Sequence, residues 1–360
     1  MVRLQTGSAR PGDDLLGLPL RQAVFDKLFP AFGGRKRLLL APDGDLTKVP
    51  FEVLPTQDGR RLIDEYAISY LACARDVLRF ETASTSQATA PLVVGDPDFD
   101  LVCTEADLRA QTTKSQPRHS RDLDSCDYSF ERLSGTRAEA ERVASLLGVR
   151  PWLGDAALEG RLKKECRSPR ILHLATHGFF LKDQKGDAEQ EPRDPEVLGV
   201  SEGSKGRLSG QPPENPFLRS GLALAGANTW LRHNNPPAEA EDGLLTAEDV
   251  ANLDLSATEL VVLSACETGL GTVRIREGVF GLRRAVVLAG AKTLVMSLWK
   301  VPDEQTQELM EDYYRRVLAG QGRAQALREA QLALKAKCTE PLYWGAFICQ
   351  GDPGPLVRRA

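Results

Sequence analysis

Two segments of this chain bring reactive residues to the ends of apolar runs. Ile171-Leu-His-Leu-Ala-Thr-His-Gly178 closes on His177 before a glycine, and Leu260-Val-Val-Leu-Ser-Ala-Cys-Glu-Thr-Gly269 carries Cys266 three residues before another. A strand in a parallel sheet is buried on both faces and reads as a continuous hydrophobic run. It delivers whatever follows it to the carboxyl edge of the sheet, where open α/β folds bind their ligands. Two such strands side by side would set an imidazole next to a thiol. An ordinary cysteine, with a pKa near 8.5, is only a few per cent thiolate at neutral pH, so a nucleophilic cysteine needs a base or cation nearby. The pair is a site only if the fold joins the two residues, because free cysteine is also among the most buried residue types. His173, Cys73, Cys103, Cys126, Cys166, Cys338 and Cys349 lack a comparable context and are read as structural or incidental.

The elements that must position this pair follow from the pattern of apolar runs. A helix is expected from about Leu18 to Phe29, then strands over 37–40, 67–72 and 91–94, each stopped by turn-forming residues. The stretch from Asp96 to Ser134 turns polar and reads as a mobile loop, with 111–118 its least hydrophobic part. A helix over 136–147 follows, with Thr136 and Glu139 at the spacing of a capping box. Beyond it come strands 170–176 and 259–265, helix 278–289, strand 293–298, helix 304–318, helix 324–335 and a last strand over 343–348. In the helix over 304–318, Leu309, Met310, Tyr313 and Val317 form a core-facing stripe. Strands alternating with helices predict an α/β fold, a mostly parallel sheet with right-handed crossovers and helices on its faces. The segment 181–219 interrupts this order directly after the His177 strand. It is rich in proline, glycine and charge, and is either a solvated insertion or a lid or self-cleavage loop. No repeat with a period of about 20 to 50 residues is visible.

At 360 residues the chain exceeds the common single-domain range of about 50 to 250, so two lobes or two closely packed domains are expected. A net charge of −4 argues against a nucleic-acid or anionic-membrane surface. No stretch approaches the roughly 18 to 20 apolar residues of a membrane span, and the first residues lack an apolar leader core. The seven cysteines are scattered without a Cys-x-x-Cys, which indicates neither a disulfide scaffold nor a zinc site and fits a reducing cytoplasm.

The wording around the two residues is more specific than their spacing. Leu172-His-Leu-Ala-Thr-His-Gly-Phe179, Ser220-Gly-Leu-Ala-Leu-Ala-Gly-Ala-Asn228, Leu245-Thr-Ala-Glu-Asp-Val250, Leu263-Ser-Ala-Cys-Glu-Thr-Gly-Leu-Gly271, Ser297-Leu-Trp-Lys-Val-Pro-Asp303 and Tyr343-Trp-Gly-Ala-Phe347 occur in order. Earlier come Leu39-Leu-Ala-Pro-Asp-Gly44, Val49-Pro-Phe-Glu-Val-Leu54, Val94-Gly-Asp-Pro97 and Gly135-Thr-Arg-Ala-Glu139. This series resembles CHAT domains, caspase-like cysteine peptidases of the group that includes separase, clostripain and gingipain, and it covers nearly the whole chain. The resemblance implies a caspase-like sheet with a non-catalytic lobe over 1–134 and a catalytic lobe over 135–360. It makes Cys266 the nucleophile and His177 the general base or imidazolium partner, with the backbone N–H groups of Gly178 and Cys266 as oxyanion donors. The reaction is then peptide cleavage through an acyl-enzyme thioester, with no metal and no other cofactor required.

In the related separase pattern, an aspartate after a similar tryptophan-containing segment holds a basic side chain before the cut bond. Asp303 stands there, although an Asp that opens a helix is equally a favoured N-cap, worth about 1 kcal/mol. Glu267 is a second acidic candidate for that pocket, and it would also raise the Cys266 pKa by like-charge repulsion. Arg274 and Arg276 either narrow the site or face solvent. The expected substrate is a protein cut after Arg in preference to Lys, with activity restrained until a partner or signal arrives, in a prokaryotic defence or cell-death setting. The competing class is a catalytically weak interaction module on the same scaffold. An α/β hydrolase of small esters is disfavoured because the candidate nucleophile is a thiol.

Overall fold

The computed structural model describes residues 17–82, 86–103, 119–120, 123, 129–181, 215–267 and 278–357. Ten strands form its sheet: β1 Arg37–Leu40, β2 Ala67–Tyr70, β3 Leu92–Pro97, β4 Trp152–Gly154, β5 Ile171–Phe180, β6 Ser220–Ala223, β7 Leu244–Thr246, β8 Leu260–Glu267, β9 Thr293–Ser297 and β10 Phe347–Gly351. The main order is β1-β2-β10-β9-β8-β5-β3-β4, with β6 on β5 and β7 on β6. The strands β9, β8, β5, β3 and β4 run parallel to one another. The strands β1, β2 and β10 form a second parallel block, which meets the first antiparallel at the β10–β9 pairing. The expected α/β class, a mostly parallel sheet flanked by helices, is therefore the observed one.

The helices used below are α1 Ser134–Leu147, α2 Glu159–Glu165, α3 Ala227–Leu231, α4 Ala247–Asn252, α5 Gly278–Leu288, α6 Asp303–Leu318 and α7 Arg323–Lys337. Alternation along the central strands sorts them into two layers. Ile171, Leu260, Val262 and Val295 point to the face covered by α1, α6 and α7, where Ala140, Val143, Leu309, Met310, Tyr313, Tyr314 and Leu327 are buried. Leu172, Leu174, Val261, Leu263, Leu294 and Met296 point to the other, covered by Leu162 of α2, Val250 of α4 and Leu282 and Val286 of α5. The stripe read on α6 is thus core. The absence of a Cβ at Gly95 lets α1 close onto β3, because a methyl there would lie 2.7 Å from the Ala140 Cβ.

Four expectations need correction. The helical turns that begin at Leu18 run on to Phe32 rather than stopping at 29. The last strand begins at Phe347, not 343: Pro341 opens a helical turn ending at Trp344, whose side chain is buried. Gln331 of α7 fixes that corner by donating to the carbonyls of Trp344 and Phe347, both at 2.9 Å. The capping box of Thr136 and Glu139 does not form, because α1 starts at Ser134. Thr136 instead donates to the Leu133 carbonyl at 2.7 Å and accepts from the Asp96 N–H at 3.1 Å, while Glu139 faces the sheet and accepts from Ser264 Oγ at 3.0 Å. Finally, the polar stretch after Asp96 is partly core: Phe99, Leu123 and Phe130 are buried with Phe179 and Leu244. Its most polar part, 111–118, lies outside the described residues. Among the described residues, no helix is long and apolar enough to cross a membrane.

Candidate active site

Both reactive residues lie inside their strands rather than just beyond them. β5 continues past His177 to Phe180 because Gly178, Phe179 and Phe180 pair antiparallel with β6, beyond the point where β3 leaves the strand at Ala175. β8 likewise runs to Glu267. The two strands are parallel neighbours over eight residue pairs, and in that register His177 is the Cα partner of Cys266 and Gly178 that of Glu267. Adjacent strands lie about 4.8 Å apart, so the backbones that carry imidazole and thiol are immediate neighbours. Arg274 and Arg276 lie outside the described residues, as does 182–214 of the long segment after β5.

The His177 ring is 1% exposed and packs in a three-ring cluster with Phe99 and Phe130, whose own centroids are 5.7 Å apart. Phe99 lies 5.4 Å away at 35°, and Phe130 lies 5.8 Å away, stacked at 30°. Nε2 is 2.5 Å from the Glu131 carbonyl oxygen, which can only accept, so this nitrogen carries the proton. Nδ1 is then the bare nitrogen, and it is buried with no hydrogen-bond partner among the described residues. Burial is the main influence on the ring and pushes its pKa below the ordinary 6.5. The Glu131 carbonyl and Asp303 pull it upward, and the Lys300 charge adds to the fall. A neutral imidazole with one open acceptor is what a general base requires.

Asp303 is the first residue of α6 but does not cap that helix, whose N-cap is Pro302 with no side-chain bond. Its Oδ2 accepts from the Gly135 N–H at 3.1 Å, so it caps the neighbouring α1 instead. Asp303 shares with His177 a small cleft also lined by Thr136, Glu139, Ser264 and Lys300. The cleft holds about 20 Å³, room for one water. Glu139 at its inner end is 3% exposed and lies 3.3 Å from His173 Nε2, while His173 Nδ1 contacts the Tyr314 hydroxyl at 3.1 Å. His173 is therefore part of a buried network under the cleft, as its context predicted. Cys166 and Cys349 are buried, which pushes both thiols up to about 12.

Sequence reasoning missed the Glu131 carbonyl and both phenyl rings packed on the imidazole. A backbone acceptor leaves no side-chain signature, and Phe99 and Phe130 stand in a stretch whose average polarity hid them.

A family model described as the CHAT domain matches residues 13–352. Tetratricopeptide repeat protein 28 of Mus musculus is 23% identical over an alignment of 364 positions that covers 96% of this chain and 14% of that protein. The Homo sapiens protein of the same name is 24% identical over an alignment of 384 positions that covers 100% of this chain and again 14% of its own length. The chain thus spans about one seventh of the curated relatives it matches. Among solved structures, the Arg-specific cysteine proteinase gingipain R aligns over 99% of this chain and 74% of its own, at 10% identity and a TM-score of 0.48.

Proposed function

This chain belongs to the CHAT domain family, and we propose that it is a cysteine endopeptidase that cuts a protein partner with a Cys266–His177 dyad. The observation that carries this reading is the register of β5 against β8, which makes the two residues Cα partners. The Nδ1 of the buried His177, whose pKa is lowered and which has no hydrogen-bond partner among the described residues, supports it. In the proposed cycle His177 Nδ1 takes the proton from the Cys266 thiol as sulfur attacks the scissile carbonyl carbon. The backbone N–H groups of Gly178 and Cys266 receive the oxyanion. The imidazolium returns its proton to the departing amine, leaving a thioester. His177 then deprotonates a water that attacks the thioester carbonyl and releases the acid and the free thiol.

Asp303 at the cleft mouth supports a preference for a basic residue before the cut bond, Arg over Lys, with Glu267 as a second carboxylate for the same role. Because the cleft holds only one water, it must open for such a side chain. This fits activity released by a partner or signal, in a defence or cell-death pathway of the kind the family resemblance implies. The narrow cleft also favours a second reading, a catalytically weak interaction module. A peptide library profiled with the wild type, His177→Ala, Cys266→Ala and Asp303→Asn separates the two. Each dyad variant should abolish cleavage, and the double variant should be no worse, because the two groups act as a unit. Asp303→Asn keeps an acceptor for Gly135 but loses the charge, and should cost Arg substrates on the order of 10-fold in kcat/KM. Full turnover by Cys266→Ala, or Asp or apolar selection at that subsite, overturns the respective claim.

A further inference from the structure

Two of the ordered sequence motifs hold residues that the proposed chemistry does not use, Asp96 of Val94-Gly-Asp-Pro97 and Asn228 at the end of Ser220–Asn228. Both act on the same three residues. Asn228 accepts from the Phe130 N–H at 2.8 Å through Oδ1 and donates to the Phe130 carbonyl at 2.9 Å through Nδ2, so it grips one residue at both its backbone groups. Two residues on, the Arg132 guanidinium meets the Asp96 carboxylate in a two-pronged pair, Nε to Oδ1 and Nη2 to Oδ2, each 2.8 Å. Arg137 Nε adds a third bond at 2.7 Å. Between the two grips lies Glu131, whose carbonyl accepts the hydrogen bond from His177 Nε2, and the Phe130 ring itself stacks on the imidazole.

Asp96 is built for this task at some cost. It is 1% exposed and has a φ of 44°, a left-handed conformation that non-glycine residues hold only where surrounding contacts over-determine it. Its burial works against ionisation, but the two arginines win and hold the carboxyl below its usual range. Arg132 and Arg137 keep 65% and 43% of their side chains in solvent, so neither is core packing. The Asn228 backbone also ties down Phe99, whose carbonyl accepts from the Asn228 N–H at 2.9 Å.

We infer that Asp96 and Asn228 are positioning residues, a two-point clamp on the strap 130–132 that fixes the Glu131 carbonyl and thereby keeps the His177 proton on Nε2 and Nδ1 open toward Cys266. This rests on the dyad reading above. It predicts that loosening either grip impairs the base without touching it, since a misplacement of about 1 Å can cost around 10²-fold.

The test is the rate of alkylation by iodoacetamide at Cys266 across pH, located by peptide mapping, with exposed Cys73 as the internal reference thiol. In the wild type at pH 6.5, Cys266 should react at least about 10-fold faster than Cys73, as a base-assisted thiol does. Asn228→Ala and Asp96→Asn should each reduce that ratio about 10-fold or more, toward the His177→Ala floor, with Cys73 unchanged. Arg132→Lys alters a side chain that is 65% exposed and keeps the charge beside Asp96 but loses the fork, and it should fall between wild type and Asp96→Asn. If the wild-type ratio is near one, the dyad reading itself fails and this inference falls with it. If the wild-type ratio is high and Arg132→Lys and the folded clamp variants retain it while only their thermal midpoints drop, the clamp is merely structural and the inference is overturned.

Discussion

At the scale of single residues, one carbonyl decides which nitrogen of His177 can work. The proton on Nε2 is committed to Glu131, so base chemistry can use only Nδ1. This fixes a pH dependence. Below its pKa the ring is protonated at Nδ1 as well and cannot take a thiol proton, and burial sets that pKa below 6.5. The acid limb of kcat/KM should therefore have its midpoint under 6.5; a midpoint at or above it would show a solvated, ordinary imidazole and contradict the described environment. Legibility at this scale divides by chemistry. His177 and Cys266 were readable because each ends an apolar run in a sequence with few histidines. Asp303 was readable as a carboxylate at the right edge but not as the cap of α1, because that contact spans 168 positions of sequence.

At the scale of elements, strands were legible wherever apolar runs were continuous, as in β5 and β8, and their ends were not. The Gly178-Phe-Phe180 extension exists only because β6 arrives to pair with it. The two Thr-x-x-acidic patterns make the same point. Thr246 and Asp249 form a true capping box at α4, whereas Thr136 and Glu139 are drawn to Asp96 and Ser264 by tertiary contacts that outweigh the local one. A second buried network joins the early strands to α5: Glu52 accepts from the Tyr70 hydroxyl, and Arg283 donates to Gln350 Oε1. Burial raises the Glu52 pKa from 4.5 to about 7, against the lowering effect of the Tyr70 bond and the Arg283 charge. The folded state therefore holds a proton that the unfolded chain has released between those values. Stability must fall as pH rises through that window and level off above it, a loss on the order of 3 kcal/mol. Glu52→Gln keeps an acceptor for Tyr70 and should flatten this slope in urea unfolding measured from pH 4.5 to 8. An unchanged slope would locate the titration elsewhere.

At the scale of the whole molecule, the sheet is continuous across the proposed boundary at 134/135. β1 and β2 extend one side through β10, and β3 sits between β5 and β4. The division into a non-catalytic and a catalytic part is accordingly proposed as one of roles. A fragment of 135–360 would lose β3, one neighbour of the His177 strand, and should fail to give cooperative thermal unfolding; a folded fragment would make the two parts separate domains. The antiparallel join of β10 to β9 was not legible, because a hydrophobic pattern carries no direction. The central claim, that this fold brings His177 to Cys266 as a working peptidase dyad, is tested most directly by treating the full chain with a peptidyl-arginine chloromethyl ketone and mapping the adduct. The wild type should carry one adduct, on Cys266, and His177→Ala should lose it while exposed Cys73 still reacts with iodoacetamide. Labelling of Cys266 at the same rate with and without the imidazole, or no labelling of Cys266 at all, would contradict it.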